Sequence, residues 1–195
     1  MDLGLHGRHV VLAGAADAAR AAVAQLLTEE GAAVVTAALA EAAQCEAVEQ
    51  EVVDAVVVVL PPAPPDAVDV LTDPATLFTA WQPVVDTAAL YRAVVPGMAA
   101  RGGGRLLAVL PTAVKAVGAA GGDLDTAVGL GLLGMHKVVA AEHGAQGVTA
   151  NAVLRGGLAT DSDVADAVAW FVSAHSGYVT GCAVTVDGGV QPSVF

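Results

Sequence analysis

The sequence predicts a single α/β domain built on a Rossmann-like, doubly wound parallel β-sheet. Strand-like and helix-like segments alternate along all 195 residues, which is the pattern of repeated βαβ units. Hydrophobic residues make up 55% of the chain, and several strand-like runs are apolar throughout, as expected of strands covered on both faces. No linker, internal repeat or low-complexity segment divides the chain, so residues 1–195 are predicted to form one domain.

Short runs of β-branched and other apolar residues are predicted to form the strands. The clearest run is 55–60 (AVVVVL), which is apolar throughout and is stopped by proline at Pro61. The other predicted strands cover residues 9–14, 33–36, 105–110, 148–154 and 183–187.

Helices are predicted in the intervals between these strands. The first spans 17–30 and is closed by Gly31 as a C-terminal cap. Two long helices are predicted at 74–97 and 123–143, and a final helix at 163–173 has Asp163 as its N-cap.

Composition and charge exclude several classes of function. Acidic side chains outnumber basic ones by 20 to 8, and the net charge of -12 repels the phosphates of nucleic acids and anionic lipid surfaces. The apolar runs are short and interrupted, and the first eight residues lack signal-peptide features, so we expect no membrane association and a cytoplasmic location. Cys45 and Cys182 form no CxxC pair, and no metal site is expected.

Several local phrases occur in the order and at the spacing typical of one enzyme family. They are 7–15 (GRHVVLAGA), 94–98 (VVPGM), 104–107 (GRLL), 147–153 (GVTANAV), 178–181 (YVTG) and 186–189 (VDGG). Over essentially its whole length the chain therefore resembles the short-chain dehydrogenases/reductases. The resemblance implies a Rossmann-like fold, descent from NAD(P)-dependent oxidoreductases, and assembly through the two long helices.

The turn after the first strand departs from the pattern of that family. Family members carry TGxxxGxG there, since glycines let the dinucleotide pyrophosphate approach the backbone at a helix N-terminus. Residues 13–20 read AGAADAAR, so only Gly14 matches. Ala18 and Arg20 put side chains where phosphates and ribose would lie, and Asp17 adds negative charge. We expect no dinucleotide cofactor; a variant loop in which Arg20 pairs with a phosphate is the alternative.

The residues that carry hydride chemistry in the family are also replaced. The resemblance implies a Ser that holds the carbonyl, a Tyr that acts as general acid, and a Lys four residues later. Aligned on 104–107, the Ser position holds Pro111, with Thr112 beside it; the Tyr and Lys positions hold Asp125 and Gly129. We therefore expect no catalytic residues for redox chemistry.

The chain is also shorter than the family, whose members run to about 250 residues as one domain. Only 39–53 remains between the second and central strands, so an edge strand or its helix is predicted to be lost or shrunken. The family's Asn-Asn-Ala-Gly turn is replaced by 60–63 (LPPA), and after 156–160 (GGLAT) the substrate lid is missing.

Small or apolar stripes on the two long helices are predicted to be an assembly surface, with packing against the sheet as the alternative. The stripes comprise Ala127, Gly131, Gly134 and Val138 on the second long helix, and Val84, Ala88, Tyr91, Val95 and Met98 on the first.

Other conspicuous side chains are given structural roles. His136 and His143 are predicted to be exposed helix residues near a C-terminal dipole. Trp81 and Trp170 are predicted to be core or interface aromatics, and Asp54 is predicted to have a structural role.

Taken together, these features favour a catalytically inactive subunit that binds an active paralogue of the same family. Contact is expected through the two long helices and the tail 192–195. One alternative is an enzyme of non-redox chemistry, a cyclase, dehydratase or isomerase using Asp125, Thr112 or His136. The other is a homomeric binding protein for a small apolar ligand.

Overall fold

A computed structural model describes residues 2–44, 52–61, 72–115 and 123–190. The predictions made for Cys45, for Pro62 and Ala63, and for the tail 192–195 concern residues outside these ranges.

Six parallel strands form one sheet in the order β2-β1-β3-β4-β5-β6, which confirms the predicted fold class. The strands are β1 (His9–Gly14), β2 (Ala33–Ala37), β3 (Ala55–Val59), β4 (Gly104–Pro111), β5 (Val148–Arg155) and β6 (Ala183–Val186). Leu12 of β1 lies opposite Thr36 on one side and Val57 on the other. The order of strands therefore reverses at β1, between β2 and β3.

Among the described residues, five helices cover the two faces of the sheet. They are α1 (Ala18–Glu29), α2 (Leu39–Gln44), α3 (Pro74–Ala100), α4 (Asp123–His143) and α5 (Asp161–Val172). Helices α2, α3 and α4 pack on one face, and α1 and α5 pack on the other. Strand β3 contributes Val56 and Val58 to the first core and Val57 and Val59 to the second, and all four are fully buried. Burial on both faces explains its unbroken apolar sequence.

The first helix is capped as predicted, but the last begins earlier. The carboxylate of Asp17 accepts the N–H of Arg20, and Gly31 ends the helix at φ +85°. Helix α5 starts at Asp161, because Thr160 is its N-cap and Asp163 is the third residue of a capping box. The Asp163 carboxylate accepts the Thr160 N–H at 2.7 Å. The prediction of Asp163 as the N-cap was therefore wrong: Thr160 is the N-cap, and Asp163 is its partner in the capping box.

The sequence predicts two shortened regions, one beside β2 and one between β5 and α5. Among the described residues no strand pairs with the outer side of β2, and Val35 on this edge is 56% exposed. At the other end of the sheet, residues 156–160 connect β5 directly to α5. The direct connection from β5 to α5 is short, as the sequence predicted. The loss of an edge strand beyond β2 also concerns residues 45–51, which lie outside the described ranges, and stays a prediction.

One described helix has the length and composition of a membrane span. It covers Leu124–Gln146 with a mean hydropathy of 1.3. The sequence predicted only short and interrupted apolar runs. Its inner side chains Leu124, Val128 and Leu132 are buried in the fold. Core helices commonly combine such length and composition, since both properties also serve burial against a sheet.

Candidate functional site

The carboxyl ends of β1, β3 and β5 form the candidate site. Open parallel sheets bind ligands outside the carboxyl ends of their strands, where the strand order reverses. Residues 14–17 follow β1 at this edge, Leu60 follows β3, and Arg155 ends β5.

Gly14 is held by a close approach of two strands. It has φ +115°, and the next residue, Ala15, donates its N–H to the Val59 carbonyl oxygen at 2.9 Å. A Cβ at position 14 would overlap that oxygen and lie 2.9 Å from the Val59 carbonyl carbon. The glycine that matches the family pattern is therefore required by the backbone packing of β1 on β3.

Arg20 lies across the carboxyl ends of β1 and β2. Its Nη1 donates to the carbonyl oxygens of Gly14 at 3.0 Å and Ala37 at 2.9 Å. The sequence predicts this side chain at the phosphate and ribose positions. In the structure it satisfies backbone carbonyls at the same edge of the sheet.

A second arginine, Arg155, crosses the gap between β5 and β1. Its Nη2 donates to the carboxylate of Asp17 and to the Leu60 carbonyl oxygen, the latter at 2.7 Å. The side chains of Arg155 and Asp17 are 13% and 25% exposed. Sequence reasoning missed Arg155. The signal in the sequence was a basic residue, Arg155, at the end of a predicted buried strand, together with an acidic residue, Asp17, at the start of the first helix.

The three family catalytic positions lie beside this edge. Pro111 ends β4, while Asp125 and Gly129 belong to the first two turns of α4. A Cβ at Gly129 would overlap the Cγ2 atom of Val114, a side chain only 2% exposed. There is accordingly no room at position 129 for a longer side chain unless Val114 moves.

The carboxyl group of Asp125 is partly buried. Burial raises the pKa of this group above its usual range. Within the described part of the chain it has no hydrogen-bond partner. Nearby, Thr126 on the same helix donates its hydroxyl to the Ala113 carbonyl oxygen at 3.3 Å, which ties α4 to the short 3-10 helix Thr112–Lys115.

Asp54 has the structural role predicted for it. Its carboxylate accepts the backbone N–H of His9 at 2.9 Å and lies 3.4 Å from the guanidinium of Arg8. These contacts join the starts of β1 and β3 at the amino edge of the sheet.

The prediction of an exposed His136 was wrong. This ring is 2% exposed, because it is directed between α3 and α4. Its Nδ1 donates to the Leu132 carbonyl oxygen at 2.7 Å, which leaves Nε2 to accept the Tyr91 hydroxyl at 2.9 Å. Burial lowers the pKa of His136 and raises that of Tyr91, so both groups are neutral. His143, at the end of α4, is half-buried beside Gln146.

The predicted helix stripes divide between the core and the surface. Tyr91, Val95 and Met98 are buried in the chain's own core, so internal packing accounts for them. Gly131 also faces inward, because a Cβ there would lie 2.7 Å from Cζ3 of Trp81. Gly134, by contrast, has open space around its Cα.

Several apolar residues remain exposed on these two helices, and we call them together the outer helical face. It consists of Val85, Ala88, Leu130, Gly134 and Val138. Val85, Leu130 and Val138 are 58%, 49% and 54% exposed. Beside it lies a hollow of about 290 Å³, lined by the apolar side chains Ala88, Val95, Pro96, Met135 and Val139 together with Tyr91, Arg92 and His143. Trp170, the other predicted aromatic, is 37% exposed and packs edge-on against Phe171.

No protein-family model matches the chain. Its fold, however, matches many solved structures. One of them, a short chain dehydrogenase/reductase family protein, covers 95% of this chain and 97% of its own, with a TM-score of 0.81 and 24% identity. The chain has the short-chain dehydrogenase/reductase fold.

Two further structures with this fold were solved with nicotinamide dinucleotides. L-sorbose reductase from Gluconobacter frateurii, complexed with NADPH and L-sorbose, matches all of both chains with a TM-score of 0.86 at 18% identity. A 3-oxoacyl-[acyl-carrier protein] reductase from Brucella melitensis, with bound NAD, matches 96% of this chain and 93% of its own, with a TM-score of 0.76 at 25% identity.

A curated relative gives a shorter sequence match. Nodulation protein G from Azospirillum brasilense is 31% identical over 124 residues. The match spans half of this chain and half of that protein.

Proposed function

We propose that this chain is a catalytically inactive short-chain dehydrogenase/reductase that associates with an active paralogue as a structural or regulatory subunit. The observation that carries the proposal is the occupation of the carboxyl edge by the chain's own charged side chains. Arg155 binds Asp17 and Leu60 across this edge, and Arg20 binds the ends of β1 and β2. Relatives with this fold hold NADPH or NAD.

The residues at this edge do not fit a dinucleotide. A pyrophosphate at a helix N-terminus needs free backbone N–H groups and a favourable field. Here the Asp17 carboxylate already accepts the Arg20 N–H and places negative charge at the start of α1. Displacing Asp17 would also separate it from Arg155, leaving a partly buried cation without its partner.

The family's proton-transfer residues have no substitutes here. Pro111 has no donor side chain, Gly129 has no cation, and Asp125 has no positive charge beside it among the described residues that could lower a donor pKa.

The outer helical face supports a role in binding another protein subunit. Monomeric proteins rarely expose several large aliphatic side chains together, and such patches are typical of protein interfaces. Gly134 lies between Leu130 and Val138 on α4, and a Cβ there would meet no atom of the neighbouring described elements within 4 Å, which permits close approach of a partner helix. We infer a partner with matching helices, an active paralogue, and a cytoplasmic complex.

Introducing a bulky side chain at Gly134 tests the assembly. We expect Gly134→Trp to fold normally, because the space there is open, and to lose most of the complex with a co-expressed paralogue. Native mass spectrometry of the co-purified proteins measures the loss. Ala21→Trp, an exposed position of α1 on the opposite face, is the matched control and should leave the complex intact.

Retention of the complex by Gly134→Trp would contradict the proposed surface. Gly131→Trp is a poorer test than Gly134→Trp, because a side chain at position 131 would collide with Trp81 of the same chain and disturb the fold itself.

A second candidate function rests on Asp125. A carboxyl group with a pKa raised by burial is suited to general-acid chemistry without a redox cofactor. His136, which was considered for the same role, is buried and bonded to Tyr91 and Leu132. Turnover by the isolated chain that disappears in Asp125→Asn would favour this candidate over the inactive subunit.

A further inference from the structure

A cavity of about 410 Å³ lies at the amino edge of the sheet, opposite the carboxyl edge that the family uses. Its walls are the starts of β1, β3 and β4, with the turn 102–104 that leads into β4. Gly147, Val172 and Gly177 complete the lining. A volume of this size falls within the range of small-molecule sites, about 300–1,000 Å³.

The charge of this cavity is opposite to that of the protein. Among the described residues, its charged lining consists of Arg8, Arg101, Arg105 and one acid, Asp54, which gives a formal charge of +2 (three positive, one negative). The whole chain carries a net charge of -12 with only 8 Lys and Arg. Three of these eight cations therefore converge on one hollow, where their field attracts an anion.

Backbone carbonyls hold two of the guanidinium groups in fixed orientations. Arg105 donates through Nε to the Ser173 oxygen at 3.2 Å, and Arg101 donates through Nη2 to the Val53 oxygen at 2.6 Å. Burial and the nearby charge of Arg8 lower the pKa of Arg105. An anion between these cations would relieve that repulsion, and a planar guanidinium fixed in advance loses little entropy on binding it.

Nη2 of Arg105 lies beside Gly177, where a side chain would crowd it. A Cβ at Gly177 would lie 3.1 Å from Nη2 of Arg105. Within the described part of the chain this Nη2 has no hydrogen-bond partner, whereas Nε and Nη1 bind carbonyl oxygens. The carbonyl oxygens of Ser173, Gly104 and Gly147 thus account for Nε and Nη1 of Arg105 but not for Nη2.

We propose that the cavity lined by Arg8, Arg101 and Arg105 binds the phosphate group of a small molecule. Phosphate oxygens match the donor geometry of guanidinium groups, and a phosphate group supplies enough acceptors for three of them. This site is separate from the carboxyl edge and from the outer helical face, so its failure would leave the proposed function unaffected.

Calorimetric titration of the whole chain with inorganic phosphate, at constant ionic strength, tests the site. We expect saturable binding of one phosphate, weakened about tenfold or more by Arg105→Gln, because a charge-assisted hydrogen bond is lost. Arg92→Gln removes the same charge from an exposed position of α3 and should leave the affinity unchanged.

Arg8→Gln provides a second variant in case Arg105→Gln does not fold. The Arg8 side chain is 47% exposed, and its Nη1 lies 3.4 Å from the Asp54 carboxylate. A parallel titration with glycerol 3-phosphate against glycerol identifies the source of the group. Tighter binding of the ester than of inorganic phosphate indicates a phosphorylated metabolite, and equal binding indicates free phosphate. Absence of saturable binding, or equal affinity in wild type, Arg8→Gln and Arg105→Gln, would overturn the proposal.

Discussion

Gly14→Ala is expected to lower the free energy of unfolding by roughly 3 kcal/mol, through the strain of a positive φ and overlap with a neighbouring strand. The new Cβ would collide with the Val59 carbonyl oxygen, which belongs to a fully buried strand and accepts the Ala15 N–H. Urea unfolding should show a lower midpoint with an unchanged slope.

Gly134→Ala is the matched control for this variant. Its Cβ would meet no atom within 4 Å, and alanine in a helix is favoured over glycine by up to about 1 kcal/mol. If Gly14→Ala unfolded within about 0.5 kcal/mol of wild type, the usual scatter of neutral surface changes, the structural explanation of Gly14 would be wrong. The glycine that matches the family pattern is explained by the packing of β1 on β3 and does not by itself indicate a cofactor.

Restoring the family's Tyr and Lys should not create a reductase. We expect Asp125→Tyr/Gly129→Lys to show no NADPH-dependent carbonyl reduction and to lose about 1–3 kcal/mol of stability by overpacking. The loss arises because a side chain at position 129 overlaps Val114, which is buried under α4. Urea unfolding and an assay of NADPH oxidation measure the two effects.

Two further variants separate overpacking from chemistry. Asp125→Tyr alone lacks the collision with Val114 and should be the more stable protein. Adding Val114→Ala to the double variant makes room at position 129 and should recover part of the lost stability without conferring activity. Carbonyl reduction by either multiple variant would show that the carboxyl edge still admits a dinucleotide.

The fold was predictable because local and long-range signals agree. The all-apolar run of β3 reflects burial on both faces, and Gly31 has the positive φ that its capping position requires. The N-cap of the last helix was assigned wrongly to Asp163, because in a capping box the N-cap and the third helical residue are both polar and bond each other.

The site was less predictable because its contacts join distant parts of the chain. Arg155 meets Asp17 across 138 positions of sequence, and no local pattern indicates such a pair. His136 was misplaced because polar residues on a helix are usually exposed, whereas this ring finds Tyr91 as a buried partner on α3. Gly131 and Gly134 are identical residues on one helix, but a Cβ at Gly131 would meet Trp81 and Val84 on α3, whereas a Cβ at Gly134 would meet no atom of the neighbouring described elements within 4 Å.

Calorimetric titration of the isolated chain with NADPH and with NADH tests the central claim most directly. We predict no saturable binding of either nucleotide, because Asp17, Arg20 and Arg155 bind one another or the strand ends at the carboxyl edge. A micromolar dissociation constant for either nucleotide would contradict the loss of the redox site.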